Sequence, residues 1–158
     1  MNLRIGFGFD THKLAEGHPF WLGGVQINHS KGTIGHSDAD VLIHAFCDAL
    51  LGAANLRDIG YQFPDTNNEY KGIDSKILLK LTMNLLKEKQ FLINNIDSTI
   101  VLQSPKISEY IPEMIKTLVP ILEISEDQLS IKAKTSEKLG FIGREEGVSA
   151  YAVTLISR

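Results

Sequence analysis

From Leu3 to His12 the chain alternates: Leu3, Ile5, Phe7 and Phe9 fall on one parity, and Arg4, Gly6, Gly8, Asp10 and His12 on the other. A period of two is that of a strand, whose successive side chains point to opposite faces. FWLGGVQI reads as a second short strand. The pattern then turns helical. Good helix formers run to about Ala54, and Ser37 with Asp40 three positions on offers a capping box at the start. LRDIGYQFPDTNNEYKG follows as a long polar connection, of a kind that in compact domains is usually functional or disordered. Asp74 is placed to cap a second helix ending near Lys89, with Ile77, Leu78, Leu81, Leu85 and Leu86 at helical spacing. IDSTIVLQ, SEYIPEMIKTLVPIL, QLSIKAKT and GVSAYAVTLIS then read as strand, helix, strand and strand. Pro112 suits a first helical turn, whereas Pro120 should end or kink that helix. Strands at both ends with helices between predict an α+β fold, an open ferredoxin-like mixed sheet with helices packed on one face. With no repeat, low-complexity tract or linker, residues 1–158 form one expected domain.

Composition narrows the partners. The chain is 43% apolar, enough for a core, and its formal charge of -3 offers no basic stripe for a nucleic acid. Cys47 is the single cysteine, so no internal disulfide can form, which fits a reducing compartment. The start lacks a signal-like apolar core, and no later apolar run nears the roughly 20 residues of a membrane span. A soluble, cytoplasmic protein without membrane or nucleic-acid partner is expected.

The helix after Ser37 carries an unexpected polar band. At about 100° per residue, Asp40, His44 and Asp48 share one face, while Val41, Leu42, Ile43, Ala45, Phe46, Ala49 and Leu50 cover most of the rest. A helix apolar nearly all round is normally buried, so its carboxylates must be paired, hydrogen-bonded or bound to a cation. Asp10 and His12 are the candidate counterpart: two apart on a strand they face the same way, with Gly6 and Gly8 leaving that side open. With His44 they make three ligands suited to zinc, which in catalytic sites keeps a fourth position free. The same spacing also suits a chance D-x-H and a satisfied core histidine. GFGFD lacks the third glycine of a dinucleotide fingerprint, and neither GxxxxGK[ST] nor HExxH occurs.

RIGFGFDTHKL, GHSDADVLIHAFCDALLGAANLRDIGYQFPDT, LQSPK and KTSEKLGFIGREEG together resemble the 2-C-methyl-D-erythritol 2,4-cyclodiphosphate synthase family over essentially the whole chain. The resemblance implies a cyclisation. The 2-phosphate of a cytidine-diphosphate-linked methylerythritol attacks the β-phosphorus, CMP leaves, and a cyclic diphosphate forms, in non-mevalonate isoprenoid biosynthesis. The attacking phosphate is already ionised near neutral pH, so positioning and charge neutralisation dominate the expected catalysis.

By resemblance, Asp10, His12 and His44 hold zinc, and Glu137 holds a second divalent cation, magnesium or manganese. His36 and Thr135 stabilise the transition state, and Ser37 reaches the attacking phosphate. Asp58, Ile59, Gly60, Phe63, Pro64, Asp65, Thr66 and Asn67 hold the methylerythritol phosphate portion; the family's run usually ends in a second Asp where this chain has Asn67. Leu102, Gln103, Ser104, Pro105, Lys106, Ile107 and Ser108 match the cytidine pocket, with Lys134, Thr135, Ser136 and Glu137; many relatives carry Thr at the place of Lys134. Asp40 most simply caps its helix, and Asp48 is a candidate to orient a metal-binding imidazole as an outer partner. The resemblance further implies a homotrimer with active sites between subunits. It places Ile5, Phe9, Phe141, Arg144 and Glu146 around an axial cavity able to take an isoprenoid diphosphate, where a seam of aromatic packing and Arg/Glu pairs is an equal alternative. Two other functions share these residues: a zinc phosphoesterase with a metal-bound water as nucleophile, and a noncatalytic trimeric binding module.

Overall fold

The structure, a computed structural model, describes residues 2–158. In chain order it contains β1 (Leu3–Glu16), a hairpin of β2 (Trp21–Leu22) and β3 (Val25–Gln26), and β4 (Lys31–Ile34). Helices α1 (Val41–Ala53), α2 (Ile59–Gln62) and α3 (Ser75–Glu88) follow, then β5 (Leu92–Val101), α4 (Ile111–Leu122), β6 (Leu129–Lys134), α5 (Gly140–Gly143) and β7 (Gly147–Ser157). The large sheet is ordered β4-β1-β7-β5-β6, with β5 and β6 parallel and the other neighbours antiparallel. α1 lies on β1 and β7, α3 packs on α1, and α4 packs on α3.

The mixed sheet with a helical layer is as expected, but its connectivity is not ferredoxin-like. That arrangement runs βαββαβ, whereas the long strands here run βαβαββ. β5–α4–β6 closes as a direct parallel crossover, so β7 returns between β1 and β5. Alternating strand and helix signals specify the elements but not this order. FWLGGVQI is also a hairpin rather than one strand: Gly23 and Gly24 both take positive φ, 61° and 75°, as a two-residue turn matching the twist of its strands requires.

α1 is capped by Asp40, not Ser37. The Asp40 carboxylate is wholly buried and accepts from Ile43 N at 3.1 Å, Gly23 N at 2.9 Å and Gly24 N at 2.6 Å, so one side chain closes the helix start and pins the hairpin turn to it. Burial pushes its carboxyl above the usual range, against those three N–H donors. α3 starts at its expected cap, Asp74, which accepts from Lys76 N. Its buried stripe is Leu78, Leu79, Thr82, Met83 and Leu86, leaving Ile77 and Leu81 outside. Thr82 turns inward because α3 lies on α1, where it meets Cys47. Burial holds that thiol up to about 12.

The two faces of β1 have unequal fates. Gly6 and Gly8 lie against α1, where a Cβ would run into the carbonyls of Ala49 and Ala45, so the side expected to be open is filled by helix backbone. The opposite face is bare: Leu3, Ile5, Phe7 and Phe9 are exposed, with Ile5 at 74%, beside Tyr151 and Val153 of β7. Among the described residues no helix is long and apolar enough to cross a membrane.

Candidate active site

The absence of side chains at Gly6 and Gly8 lets α1 settle onto β1, and that contact carries His44 to the strand's two polar residues further along the same face. His44 Nδ1 lies 2.9 Å from Asp10 Oδ2 and 3.0 Å from His12 Nε2, and His12 Nε2 lies 2.9 Å from the same Asp10 oxygen. Three side chains thus aim one atom each at a common point. Burial alone would raise the Asp10 carboxyl, but hydrogen bonds and charge from both imidazoles outweigh it and hold the group well below the usual carboxylate range. Burial pulls His12 down, yet the Asp10 carboxylate beside it leaves it raised overall.

The outer ring nitrogens decide what these atoms offer. His12 Nδ1 faces the Ile34 carbonyl at 3.1 Å, which can only accept, so Nδ1 carries the proton and a neutral ring presents its Nε2 lone pair inward. His44 Nε2 lies 3.0 Å from both Ser37 Oγ and Ser75 Oγ, leaving Nδ1 to face Asp10 and His12. Lone pairs converging from two imidazoles and a carboxylate need a cation or a shared proton among them. A set of two nitrogens and one oxygen suits zinc, with outer partners fixing the tautomers as in known zinc sites. Gly35 makes room for this: a Cβ there would stand 3.0 Å from His12 Cε1 and 2.8 Å from the Ala39 side chain.

A cavity of about 190 Å³ opens beside the cluster, lined by Asp10, His12 and His44 together with His36, Ser37, Ile59, Gly60, Phe63 and Asp65 from the expected set. His36 Nε2 is buried without a hydrogen-bond partner. The connection expected to be one long loop contains α2 and a single turn at Asn68–Tyr70. Asp58 caps α2 through Tyr61 N at 2.8 Å, and Asn67 caps the turn through Glu69 N at 3.1 Å. Neither of these two, nor Pro64 or Thr66, lines the cavity. Asp48 does not orient an imidazole: its carboxylate accepts from Ile59 N at 2.8 Å and fastens α2 to α1, and Ser37 and Ser75 stand at the His44 nitrogen instead. Burial raises the Asp48 carboxyl, opposed by that N–H. Leu78 and Ser75 were missed, because the sequence shows α3 as an amphipathic helix with a cap and nothing that aims its first turn at His44, and Tyr70, in the turn before it, carries no motif.

The expected nucleotide residues gather in a second cavity of about 170 Å³. It is lined by Leu102, Gln103, Pro105, Lys106, Ile107 and Ser108 from one segment and Ala133, Lys134 and Thr135 from another. Ser104 and Ser136 do not line it; Ser136 Oγ donates to the Leu139 carbonyl at 2.7 Å. Glu137 takes a positive φ of 53° and accepts from Thr135 Oγ1 at 3.2 Å, while Lys138 N donates to Gln103 Oε1 at 3.0 Å and ties the segments together. The cavities share no lining residue. Asp10 pairs with Ala150, Ala150 with Ile100, and Ile100 with Ala133, so the two sites lie at one level of the sheet, three strand spacings or roughly 14 Å apart. One chain does not bring His36 and Thr135 together. Phe141 is partly exposed, and Arg144 pairs with Glu146 through two hydrogen bonds of 3.0 Å in the open.

Comparison with known proteins places this geometry. The YgbB family model matches residues 3–157. A 2-C-methyl-D-erythritol 2,4-cyclodiphosphate synthase of Bacteroides fragilis is 60% identical over 158 residues, covering 100% of this chain and 99% of that protein. Among solved structures, the bifunctional IspDF of Campylobacter jejuni superposes with a TM-score of 0.94 at 41% identity, over 98% of this chain and 42% of that one. IspF of Plasmodium falciparum in complex with CDP superposes with a TM-score of 0.86 at 37% identity, over 98% of this chain and 96% of that one.

Proposed function

The chain belongs to the YgbB family, and from that premise we propose that it is a cyclising, CMP-releasing phosphorus–oxygen lyase of non-mevalonate isoprenoid biosynthesis. It converts 4-diphosphocytidyl-2-C-methyl-D-erythritol 2-phosphate to 2-C-methyl-D-erythritol 2,4-cyclodiphosphate plus CMP. An oxygen of the 2-phosphate attacks the β-phosphorus, the bond to the oxygen bridging α and β breaks, and that oxygen leaves with CMP. The observation that carries the reading is the convergence of Asp10, His12 and His44 beside a cavity lined also by His36, whose Nε2 is buried without a hydrogen-bond partner. A buried polar atom without a partner costs about 1–3 kcal/mol, which a phosphate oxygen of the substrate would relieve.

Asp10, His12 and His44 would hold zinc, which when bound supplies Lewis-acid stabilisation of charge on a phosphate oxygen. Ser37 donates its hydroxyl hydrogen to the attacking phosphate and fixes its approach. Ile59, Gly60, Phe63 and Asp65 enclose the methylerythritol portion, with Asp65 suited to sugar hydroxyls rather than to phosphate. Lys106 and Lys134 supply positive charge to the cytidine diphosphate in the second cavity. Thr135 lines it and donates to Glu137, which does not line it and would serve as the carboxylate for a second divalent cation, magnesium or manganese, of the kind that needs only one or two such ligands.

The active unit is proposed to be a homotrimer whose two cavities meet between copies. The bare apolar face supports assembly, since an uncovered sheet face of this size marks an interaction surface. Ile5, Phe9, Phe141 and the Arg144–Glu146 pair edge that face, and an isoprenoid diphosphate is proposed to bind there, its tail on the rings and its diphosphate on Arg144. A farnesyl diphosphate titration is expected to raise the melting temperature; an unchanged temperature and rate remove this part.

The deciding experiment incubates purified protein with the cytidine-linked 2-phosphate, with and without chelator, and detects products by mass. CMP and the cyclic diphosphate are expected, and the chelator abolishes both. Free phosphate or an acyclic diphosphate would show a hydrolase instead, and retention of the substrate unchanged would show a binding module.

A further inference from the structure

Ser75 is buried completely, at the first residue of α3, and touches the candidate metal cluster only through His44. Its hydroxyl lies 3.0 Å from His44 Nε2 and donates to Asp38 Oδ1. The Ser75 backbone N–H donates to the other Asp38 oxygen at 3.0 Å, so the residue is held to one carboxylate by two bonds. Asp38 is itself fixed by its backbone: its N–H donates to the Ile73 carbonyl at 3.0 Å.

With Nδ1 turned to the cluster, a neutral His44 ring carries its one N–H at Nε2, which has two hydroxyl neighbours, Ser37 and Ser75, both at 3.0 Å. The Ser75 proton goes to the carboxylate, the strongest acceptor within reach, which turns the oxygen's lone pairs toward Nε2. Ser37 has no such anchor. Its oxygen accepts from Ala39 N at 3.1 Å, its only other hydroxyl neighbour is Ser75 Oγ at a longer 3.4 Å, and it stands on the cavity wall.

Resting on the metal reading above, we infer that Ser75 is the positioning residue of the cluster. It takes the His44 Nε2–H and passes its own proton's hydrogen bond to Asp38, a relay that fixes the tautomer presenting Nδ1 to the metal and releases Ser37 for substrate. The two hydroxyls therefore divide the work, one toward the metal ligand and the other toward phosphate. Because Ser75 opens α3 and closes the 55–74 segment, the docking of α3 on α1 sets the orientation of the imidazole.

The test measures zinc affinity of the full chain by competition with a chromophoric chelator, alongside the His44 tautomer by long-range 1H–15N correlation and the melting temperature without zinc. Ser75→Ala is expected to lose roughly 10- to 100-fold in zinc affinity, the range for removing an outer partner of a ligand, and to lose the single Nε2–H signature. Ser75→Thr, which keeps the hydroxyl, is expected to restore both. Ser37→Ala is expected to bind zinc within about twofold of wild type, its loss falling on turnover, as the relay requires. A folded Ser75→Ala that binds zinc like wild type, or a loss in Ser37→Ala larger than in Ser75→Ala, overturns the relay. Should Ser75→Ala fail to fold, Asp38→Asn decides by the same readouts: weakened zinc binding with a mixed tautomer upholds the relay, and wild-type values of both overturn it. Wild-type protein that binds no zinc overturns the metal reading itself, a result distinct from failure of the relay alone.

Discussion

The two cavities are built by opposite means. At the first, every candidate metal ligand is held from behind: Asp10 and His12 by a long strand, His44 by a helix buried on nearly all sides, and the imidazoles by Ile34 and Ser75. At the second, the polar groups lie in exposed turns and bond mainly to one another, as Thr135 does to Glu137 and Ser136 to Leu139. The first is preorganised by the core, and errors in packing should reach its chemistry. The second is held mainly by contacts among its own turns, and substitutions there should act on binding while sparing the fold.

The sharpest test of that contrast is Gly8→Ala. The added Cβ meets the Ala45 carbonyl, which belongs to a buried helix and cannot move without shifting His44. More than about 3 kcal/mol of stability should be lost, beyond ordinary overpacking, with zinc binding lost in parallel. Thermal melting and zinc titration read both. If Gly8→Ala melts like wild type and still binds zinc, the close packing of α1 on β1 is not what places the ligands. His44→Ala should come next: turnover falls by at least about 10³-fold, comparable to losing a principal electrostatic contributor, while the metal-free melting temperature stays within a few degrees. A variant that keeps cyclising would remove the cluster from the reaction.

Much of this contrast was legible in the chain, and its limits are instructive. The D-x-H pair and His44 were readable because strand and helix periods fix which residues share a face, and those periods survive folding. Asp74 as a cap and the ranges of β6 and β7 follow from the same local rules. Strand order was not readable, since β7 enters between β1 and β5 through pairings that no local signal encodes. The hairpin at Gly23–Gly24 was hidden by the shortness of its strands, and Asp40's grip on it depends on a contact 16 or 17 residues away. The Ser75–Asp38–His44 relay likewise joins elements through tertiary packing alone.

Asp40→Asn examines a carboxylate of the first region that lies outside the candidate metal cluster. An amide has one acceptor oxygen, so its NH2 would face either the Gly24 N–H or those of Gly23 and Ile43. An unsatisfied buried donor costs about 1–3 kcal/mol, offset in part because burial already disfavours the charged carboxylate. A net loss of about 1–2 kcal/mol by urea unfolding is expected on that basis, with zinc affinity falling less than in Ser75→Ala. Stability equal to wild type would show that the charge, and not the three N–H bonds, dominates at this position.

The smallest effect belongs to Asp97, on the β5–β6 side of the molecule. Its side chain is 49% exposed, and Lys132 donates to both oxygens at 2.5 and 2.6 Å. The lysine holds the Asp97 carboxyl below its ordinary value, with burial opposing. A carboxyl lowered on folding contributes stability that is present above its unfolded pKa, near 4, and that fades as pH falls through the lower folded value. Water and salt screen an exposed pair, so Asp97→Asn should cost no more than about 0.5 kcal/mol at neutral pH. The difference from wild type should shrink below pH ~4, and zinc binding should not change at any pH. Unfolding curves at neutral and acid pH measure it. A loss above about 2 kcal/mol, outside the range of exposed pairs, would mean that this edge is as tightly built as the β1–α1 side, and the contrast between the two regions would fall.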